Sequence, residues 1–282
     1  MIFNKPIGGL GNQLFCIFAT ICYAIKQNQK FTFLNKKEIY YGTDRDNMYF
    51  NNFLLELEPF TTGNINEPNM EIIHDTHNFE YFDFPSFPKE KNVLLNGYFQ
   101  TDKYFKEYYK PICKMINLNS KRLHTKYKYK YEYQNLISMH FRLGDYKNLP
   151  QYHCILSSTY YKNALKYVID NSTGGDILDV LYFCEKEDEE TVSNIVSEIQ
   201  AQFPKIIFIK IDYSIKDWEQ LLIMSLCKHN IIANSTFSWW AAYFNDNENK
   251  IVCYPDKWYG PMLSYINQND FYPNSWIKIS NS

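Results

Sequence analysis

The chain has 282 residues, 45% of them hydrophobic, enough for one large domain or two of ordinary size around a substantial core. A formal charge of −2 removes the electrostatic basis for general nucleic-acid binding. Aromatics reach 18%, so a cluster of rings is no sign of a sugar platform here.

Residues 1–6 read as a short strand, followed by a glycine turn, IGGLGNQ (7–13), an apolar helix over 14–27 and a strand over 30–35. That is the opening of a β–α–β unit. In 36–92, FLLELEPF is helix-like, but loops rich in Pro, Asn and aromatics dominate. Order returns with a strand over 92–99 and a helix over 101–117 that carries Pro111. HTKYKYKYEYQ (124–134) alternates Lys with Tyr and reads as a solvated linker or exposed strand, with a nucleic-acid-facing strand as the weaker alternative.

From 136 the pattern is regular. Strands LISMHF, DVLYFC, KIIFIKI, NIIAN and KIVCYP alternate with helices near 158–170, 188–203, 215–228 and 236–245, the first capped by Ser157 or Ser158. Five apolar strands separated by helices imply a parallel, doubly wound sheet, which binds ligands at the carboxyl ends of its strands. The class is α/β, and the linker suggests two domains facing a cleft.

Cys16, Cys22, Cys113, Cys154, Cys184, Cys227 and Cys253 are scattered, odd in number and free of CxxC spacing. Most lie in apolar stretches, where a free thiol acts as a small hydrophobe, so a reducing, cytoplasmic setting is expected. The N-terminus lacks signal-peptide character, and no run of 18 apolar residues offers a transmembrane anchor. Peripheral membrane contact stays open, and the NST sequons at 171–173 and 234–236 carry little weight.

Three stretches carry candidate chemistry. In LISMHFRLGDYKNLP (136–150) an apolar strand runs into His140, Arg142, Asp145 and Tyr146. Arginine offers a rigid fork suited to phosphate, Gly144 permits a tight turn, and Asp145 can brace the arginine or meet a substrate hydroxyl. An ordinary Arg–Asp pair closing a loop is the simpler account. In NIIANSTFSWWAAYF (230–244) a strand ends at Asn234, and Ser235, Thr236 and Ser238 open a helix whose free N–H groups suit an anion; each is also a common cap. In GGLGNQLF (8–15), Gly9 and Gly11 precede Asn12 and Gln13, whose amides suit a polar ligand, but GxGxxG spacing is absent.

Together with GYFQTDKYF (97–105) and STYYKNAL (158–165), these stretches, HFRLGDY and ANSTFSWWAAYF among them, resemble glycosyltransferase family 11, the inverting α-1,2-fucosyltransferases that use GDP-fucose. The pieces stand in family order over most of the chain, and 36–90 contributes none. Leu143 stands where many members have a second arginine, and Cys184-Glu185-Lys186-Glu187-Asp188 stands where many have SDD.

The resemblance implies a GT-B fold of two Rossmann-like domains facing a cleft. Residues 1–134 would be the acceptor side and 135–282 the donor side, with about the last 20 residues packing back on the first domain. Its catalytic residues would be Arg142 and Asp145. His140, Asn234, Ser235, Thr236, Ser238 and Asp217 would hold GDP-fucose, Asp217 reading guanine, and Gly9, Gly11, Asn12 and Gln13 would form a substrate loop. The partners would be GDP-fucose and a galactose-terminated glycan, with no nucleic acid, cofactor or metal. DRD (44–46) and HDTH (74–77) are the short patterns that could supply carboxylates to manganese or imidazoles to another metal. The competing readings are a same-fold transferase for another nucleotide sugar and a non-catalytic carbohydrate- or nucleotide-binding module.

Overall fold

The computed structural model describes residues 1–35, 48–76, 79–172 and 178–281. The chain divides into two units, one of Met1–Ser120 with Ile266–Pro273, the other of Lys121–Tyr265 with Asn274–Ser282. The boundary at 120/121 falls 14 residues before the sequence-derived one at 134/135, and the C-terminal stretch contributes to both units.

Strands of the first unit are β1 (Ile2–Asn4), β2 (Phe31–Leu34), β3 (Thr61–Thr62), β4 (Glu71–His74) and β5 (Val93–Asn96), all parallel in the order β3-β2-β1-β5-β4. Helix α1 (Leu10–Lys26) is buried almost continuously from Leu10 to Ala24, which explains its unbroken apolar sequence. Outside the sheet its Phe15 and Phe18 meet Phe105, and Phe15 also meets Phe271. Asn28 ends the helix at φ +49, a left-handed position that Asn tolerates, while Gln29 N–H reaches back to the Ala24 carbonyl. The expected helix over 101–117 is instead a series of 3₁₀ turns leading into α2 (Tyr109–Met115), where Pro111 sits in the first turn and displaces no helical hydrogen bond. FLLELEPF forms only a 3₁₀ stretch, Leu55–Phe60.

Helix α3 (Leu118–Lys128) crosses the boundary and takes in the first five residues, 124–128, of the Lys/Tyr run expected to be linker or strand. Two contacts override the period-two alternation. Arg122 is buried and binds Asp246 (Nη2–Oδ1 2.7 Å) and the Ser225 carbonyl, and Lys128 binds the buried Glu219 at 2.6 Å.

The second unit holds β6 (Leu136–His140), α4 (Ser158–Asn171), β7 (Asp179–Phe183), α5 (Glu189–Gln202), β8 (Phe208–Lys210), α6 (Asp217–Leu226), β9 (His229–Ile231), α7 (Thr236–Phe244), β10 (Val252–Pro255) and β11 (Ile277–Ile279). The sheet is parallel throughout, in the order β11-β10-β9-β6-β7-β8. Five strands were expected; β11 adds a sixth on the edge, too short to stand out as a periodic run. Ile137, Met139, Val180 and Ile231 form its core with Tyr160, Tyr161, Ala164 and Val168 of α4. Ser157 precedes α4, but its hydroxyl donates to the Asn281 carbonyl at 3.0 Å instead of capping the helix.

Both sheets are therefore of the Rossmann-like α/β class that a GT-B chain requires. In each, the strand order reverses beside the first strand, at β1/β5 and at β6/β9. The carboxyl ends at such a reversal are where doubly wound sheets bind ligands. All seven cysteines are free, and none of the described helices is long and apolar enough to cross a membrane.

Candidate functional site

The two most informative motifs leave the second sheet at its reversal. Met139 of β6 pairs with Ile231 of β9, so 141–148 and 232–238 emerge side by side at one end of adjacent strands. The burial that makes 136–141 and 230–234 read as apolar runs is what presents the polar residues after them.

Arg142 is only 9% exposed, and its guanidinium is held by two carboxylates, Nη2 by Asp145 and Nη1 by Glu185. Its Cζ lies 4.8 Å from the centroid of the Tyr146 ring. Asp145 and Glu185 are each about half exposed, so each can still reach a ligand. The expected Arg–Asp brace is present, with a second carboxylate from the end of β7. Gly144 lies at φ +40, and a Cβ there would stand 2.6 Å from both Arg142 Nη1 and Glu185 Oε2. Only glycine permits both the turn and the ion pair.

His140 ends β6 in a buried position, its ring 5.7 Å from that of Phe237 in the first turn of α7. Burial, reinforced by the neighbouring Arg142 charge, pushes its pKa down to about 3, so the imidazole is neutral at physiological pH. Its Nδ1 is buried with no partner among the described residues.

On the β9 side, Asn234 is fully buried and spends its amide N–H groups on the Cys154 and Trp258 carbonyls, both at 2.8 Å. Its backbone carbonyl accepts the Tyr146 hydroxyl at 3.1 Å, joining the two motifs. Ser235 caps α7 through Phe237 N–H, and the buried Ser238 hydroxyl turns back to the Ser235 carbonyl. Thr236 is the partly exposed member of the trio, at the first position of the helix. Ser235 and Ser238 thus chiefly build the helix start, and N–H groups of a helix's first turn are of the kind that suits an anion. Trp239 and Trp240 are fully buried in the unit's interior, as expected for rings that pack the helix on the sheet.

Asp217 begins α6, after the edge strand β8, and its Oδ1 accepts Trp218 N–H at 2.7 Å. It is two strands removed from β6. Two further groups support the site. Asp188, fully buried, accepts Gly144 N–H at 2.7 Å and Lys147 Nζ at 2.6 Å. His153 stacks on Tyr146 at 3.9 Å and 6°. Asp188 stood in the 184–188 run set against SDD, but nothing in the sequence tied it to Gly144; His153 had no sequence signal.

In the first unit, the glycine loop follows β1 and GYFQTDKYF follows β5, again the two strands at the reversal. Gly8 takes φ +76 and Gly9 precedes α1, with Gly11 buried in its first turn. Gln13 is buried and donates to the Gly8 carbonyl at 2.8 Å, and the Asn12 amide oxygen accepts Gln100 at 2.9 Å. These amides knit the loop to the end of β5. Asp75 of HDTH accepts the N–H of Phe99, a residue at φ +53. His74 is exposed on the edge strand β4, and His77 and DRD lie outside the described residues. Among the described residues, no group of three His, Cys, Asp or Glu is placed to hold a metal ion.

Comparison with known proteins places these motifs. Among solved structures, fucosyltransferase NodZ from Bradyrhizobium aligns over 86% of this chain and 92% of its own, at TM-score 0.48 and 11% identity. Heptosyltransferase WaaC of E. coli with ADP aligns over 99% and 92%, at TM-score 0.44 and 8% identity. Two Escherichia coli proteins are similar in sequence. O-antigen biosynthesis glycosyltransferase WbnK is 34% identical over 56% of this chain and 49% of its own length. An alpha-1,2-colitosyltransferase is 26% identical over 67% of this chain and 63% of its own. The chain thus covers about half of the first relative and less than two thirds of the second. The model of glycosyl transferase family 11 matches residues 64–280, which include every motif at the end of β5, β6 and β9, and the chain belongs to that family.

Proposed function

We propose that this chain transfers L-fucose from GDP-fucose to a galactoside hydroxyl, in α-1,2 linkage and with inversion, without a metal. The observation that carries the reading is the pairing of Arg142 with the α7 N-terminus at the ends of adjacent strands, in a family 11 chain. The bond from the sugar carbon to the β-phosphate oxygen breaks, and its electron pair goes to the pyrophosphate. That developing charge needs cationic and N–H donors already in place. Arg142 and the helix start supply both.

Arg142 is neutralised by Asp145 and Glu185. A pyrophosphate that takes over the guanidinium releases Asp145, which then accepts the proton of the attacking hydroxyl. His140, neutral and buried, offers Nδ1 to the donor, and Asp217 accepts from guanine N–H groups. The loops after β1 and β5 form the acceptor side.

A second reading concerns the sugar alone. The relative named alpha-1,2-colitosyltransferase favours a donor carrying colitose, which is fucose without its 3-hydroxyl. A purely binding module is disfavoured by the intact Arg142, Asp145 and helix start.

The test is thermal unfolding with GDP, UDP and CDP, followed by transfer from GDP-fucose to a β-galactoside in EDTA. Selective stabilisation by GDP and transfer in EDTA are expected, since a ligand that binds only the folded state raises its stability. Equal stabilisation by UDP overturns the guanine assignment, and activity that requires added manganese overturns the metal-free mechanism.

A further inference from the structure

Tyr146 is held on every side. Its hydroxyl donates to the Asn234 carbonyl, and one face of its ring is covered by the parallel imidazole of His153 at 3.9 Å. A ring that close fills the face, so the Arg142 guanidinium, 4.8 Å from the centroid, lies over the other. The order Arg142–Tyr146–His153 is therefore a stack of cation, phenol and imidazole.

The far end of that stack is anchored. His153 forms an antiparallel bridge with Tyr259, and Gly260 N–H donates to the Tyr152 carbonyl at 2.9 Å. A Cβ on Gly260 would come within 2.6 Å of the backbone at 150–151, so the two segments are in close contact. Asn234 draws the same segments together through the Cys154 and Trp258 carbonyls. His153 thus stands on a fixed backbone, while the carboxylates on Arg142 are half exposed and able to exchange for a ligand.

From this we infer that His153 is a positioning residue, buttressing Tyr146 so that the Arg142 guanidinium keeps its orientation when a ligand replaces Asp145 and Glu185. The inference rests on the reading that Arg142 meets the donor pyrophosphate. His153 itself touches no reacting atom, and what it supplies is a flat ring.

Three variants decide it: His153→Ala, His153→Leu, which keeps the volume without a π face, and His153→Phe, which keeps the face. Transfer kinetics are measured together with NMR relaxation of the Arg142 side-chain Nε–H, resolvable because the chain has only Arg45, Arg122 and Arg142. His153→Ala and His153→Leu are expected to lower kcat about 10- to 100-fold with acceptor KM unchanged, and to increase Arg142 motion. His153→Phe should restore both to within about threefold of the parent. If His153→Ala fails to fold, His153→Leu carries the comparison. Parent-like kcat and Arg142 motion in the Leu variant, or a Phe variant as impaired as Leu, overturns the inference. A parent protein that neither binds GDP nor transfers sugar defeats the functional reading instead, and the NMR comparison still decides the role of His153.

Discussion

The fully buried carboxylate of Asp188 accepts the backbone N–H of Gly144 at 2.7 Å. It thereby fixes, from the segment after β7, the turn that sets Arg142 and Asp145. A second bond from Lys147, at 2.6 Å, balances its charge. Asp188→Ala leaves the partly buried Gly144 N–H and Lys147 without their acceptor and should lower stability by about 1–3 kcal/mol. Asp188→Asn can still accept from Gly144 but faces Lys147 without a charge, and should fall between. Urea unfolding measures both. A stability unchanged in Asp188→Ala would mean that the turn holds itself.

Glu185 binds Arg142, so under the proposed function it competes with the donor pyrophosphate for the same guanidinium. Glu185→Gln removes the competing charge while keeping the shape. GDP should then bind about 2- to 5-fold more tightly, as expected for loss of one half-exposed ion pair. Calorimetric titration with GDP gives the answer directly. Weaker binding in Glu185→Gln would show instead that this carboxylate contacts the nucleotide.

Two buried histidines tie stability to pH. Burial pushes His140 to about 3, helped by Arg142, and His229 to about 4, helped by Lys228. His229 is fixed as the neutral ring, its Nδ1 accepting Ile251 N–H and its Nε2 bonded to Ser172. Both pKa values lie below that of an unfolded imidazole, about 6.5. Stability from these groups is therefore complete above that value and is lost as the pH falls toward 4, because the unfolded chain takes up protons first. The slope should approach about 1.4 kcal/mol per pH unit for each histidine. His229→Asn should flatten it by one such increment between about pH 6 and 4.5, measured by urea unfolding. An unchanged slope would place His229 in water.

The sequence announced the second sheet because its strands are buried on both faces and read as plain apolar runs. Met139, Val180 and Ile231 are such positions. The polar residues that follow are exceptions to that pattern, which is why His140, Arg142 and Asn234 stood out. What stayed hidden was pairing across distance. Arg122 to Asp246 spans 124 positions and anchors the helix that takes in the start of the Lys/Tyr run. Glu185 looked like a departure from SDD and proved to be the second partner of Arg142. Ser235 and Ser238 looked like ligand hydroxyls, yet their bonds are local caps, a difference that composition cannot reveal. Thr101, likewise silent in sequence, caps the turn after β5 through Lys103 N–H.

Arg142 supports the most direct prediction. Its guanidinium is only 9% exposed and in contact with Asp145, Glu185 and Tyr146. Its removal brings two carboxylates together without a cation and uncovers one face of Tyr146. Arg142→Ala should therefore lower the unfolding temperature by a few degrees, corresponding to about 1 kcal/mol, because both carboxylates can turn to water. The effect on transfer should be far larger. Arg142→Lys keeps the charge but cannot fork between two oxygens, and Leu143 supplies no second guanidinium. A loss of about 10²–10³ in kcat is expected for Lys, and no measurable transfer for Ala. If Glu185→Gln tightens GDP binding, that gain should vanish when it is combined with Arg142→Lys, since the two act on one contact. The measurement is kcat and GDP affinity for the two single variants and the double variant, each checked for native unfolding behaviour. Parent-like turnover in Arg142→Lys would reduce the residue to a structural ion pair and shift the leaving-group contacts to the start of α7.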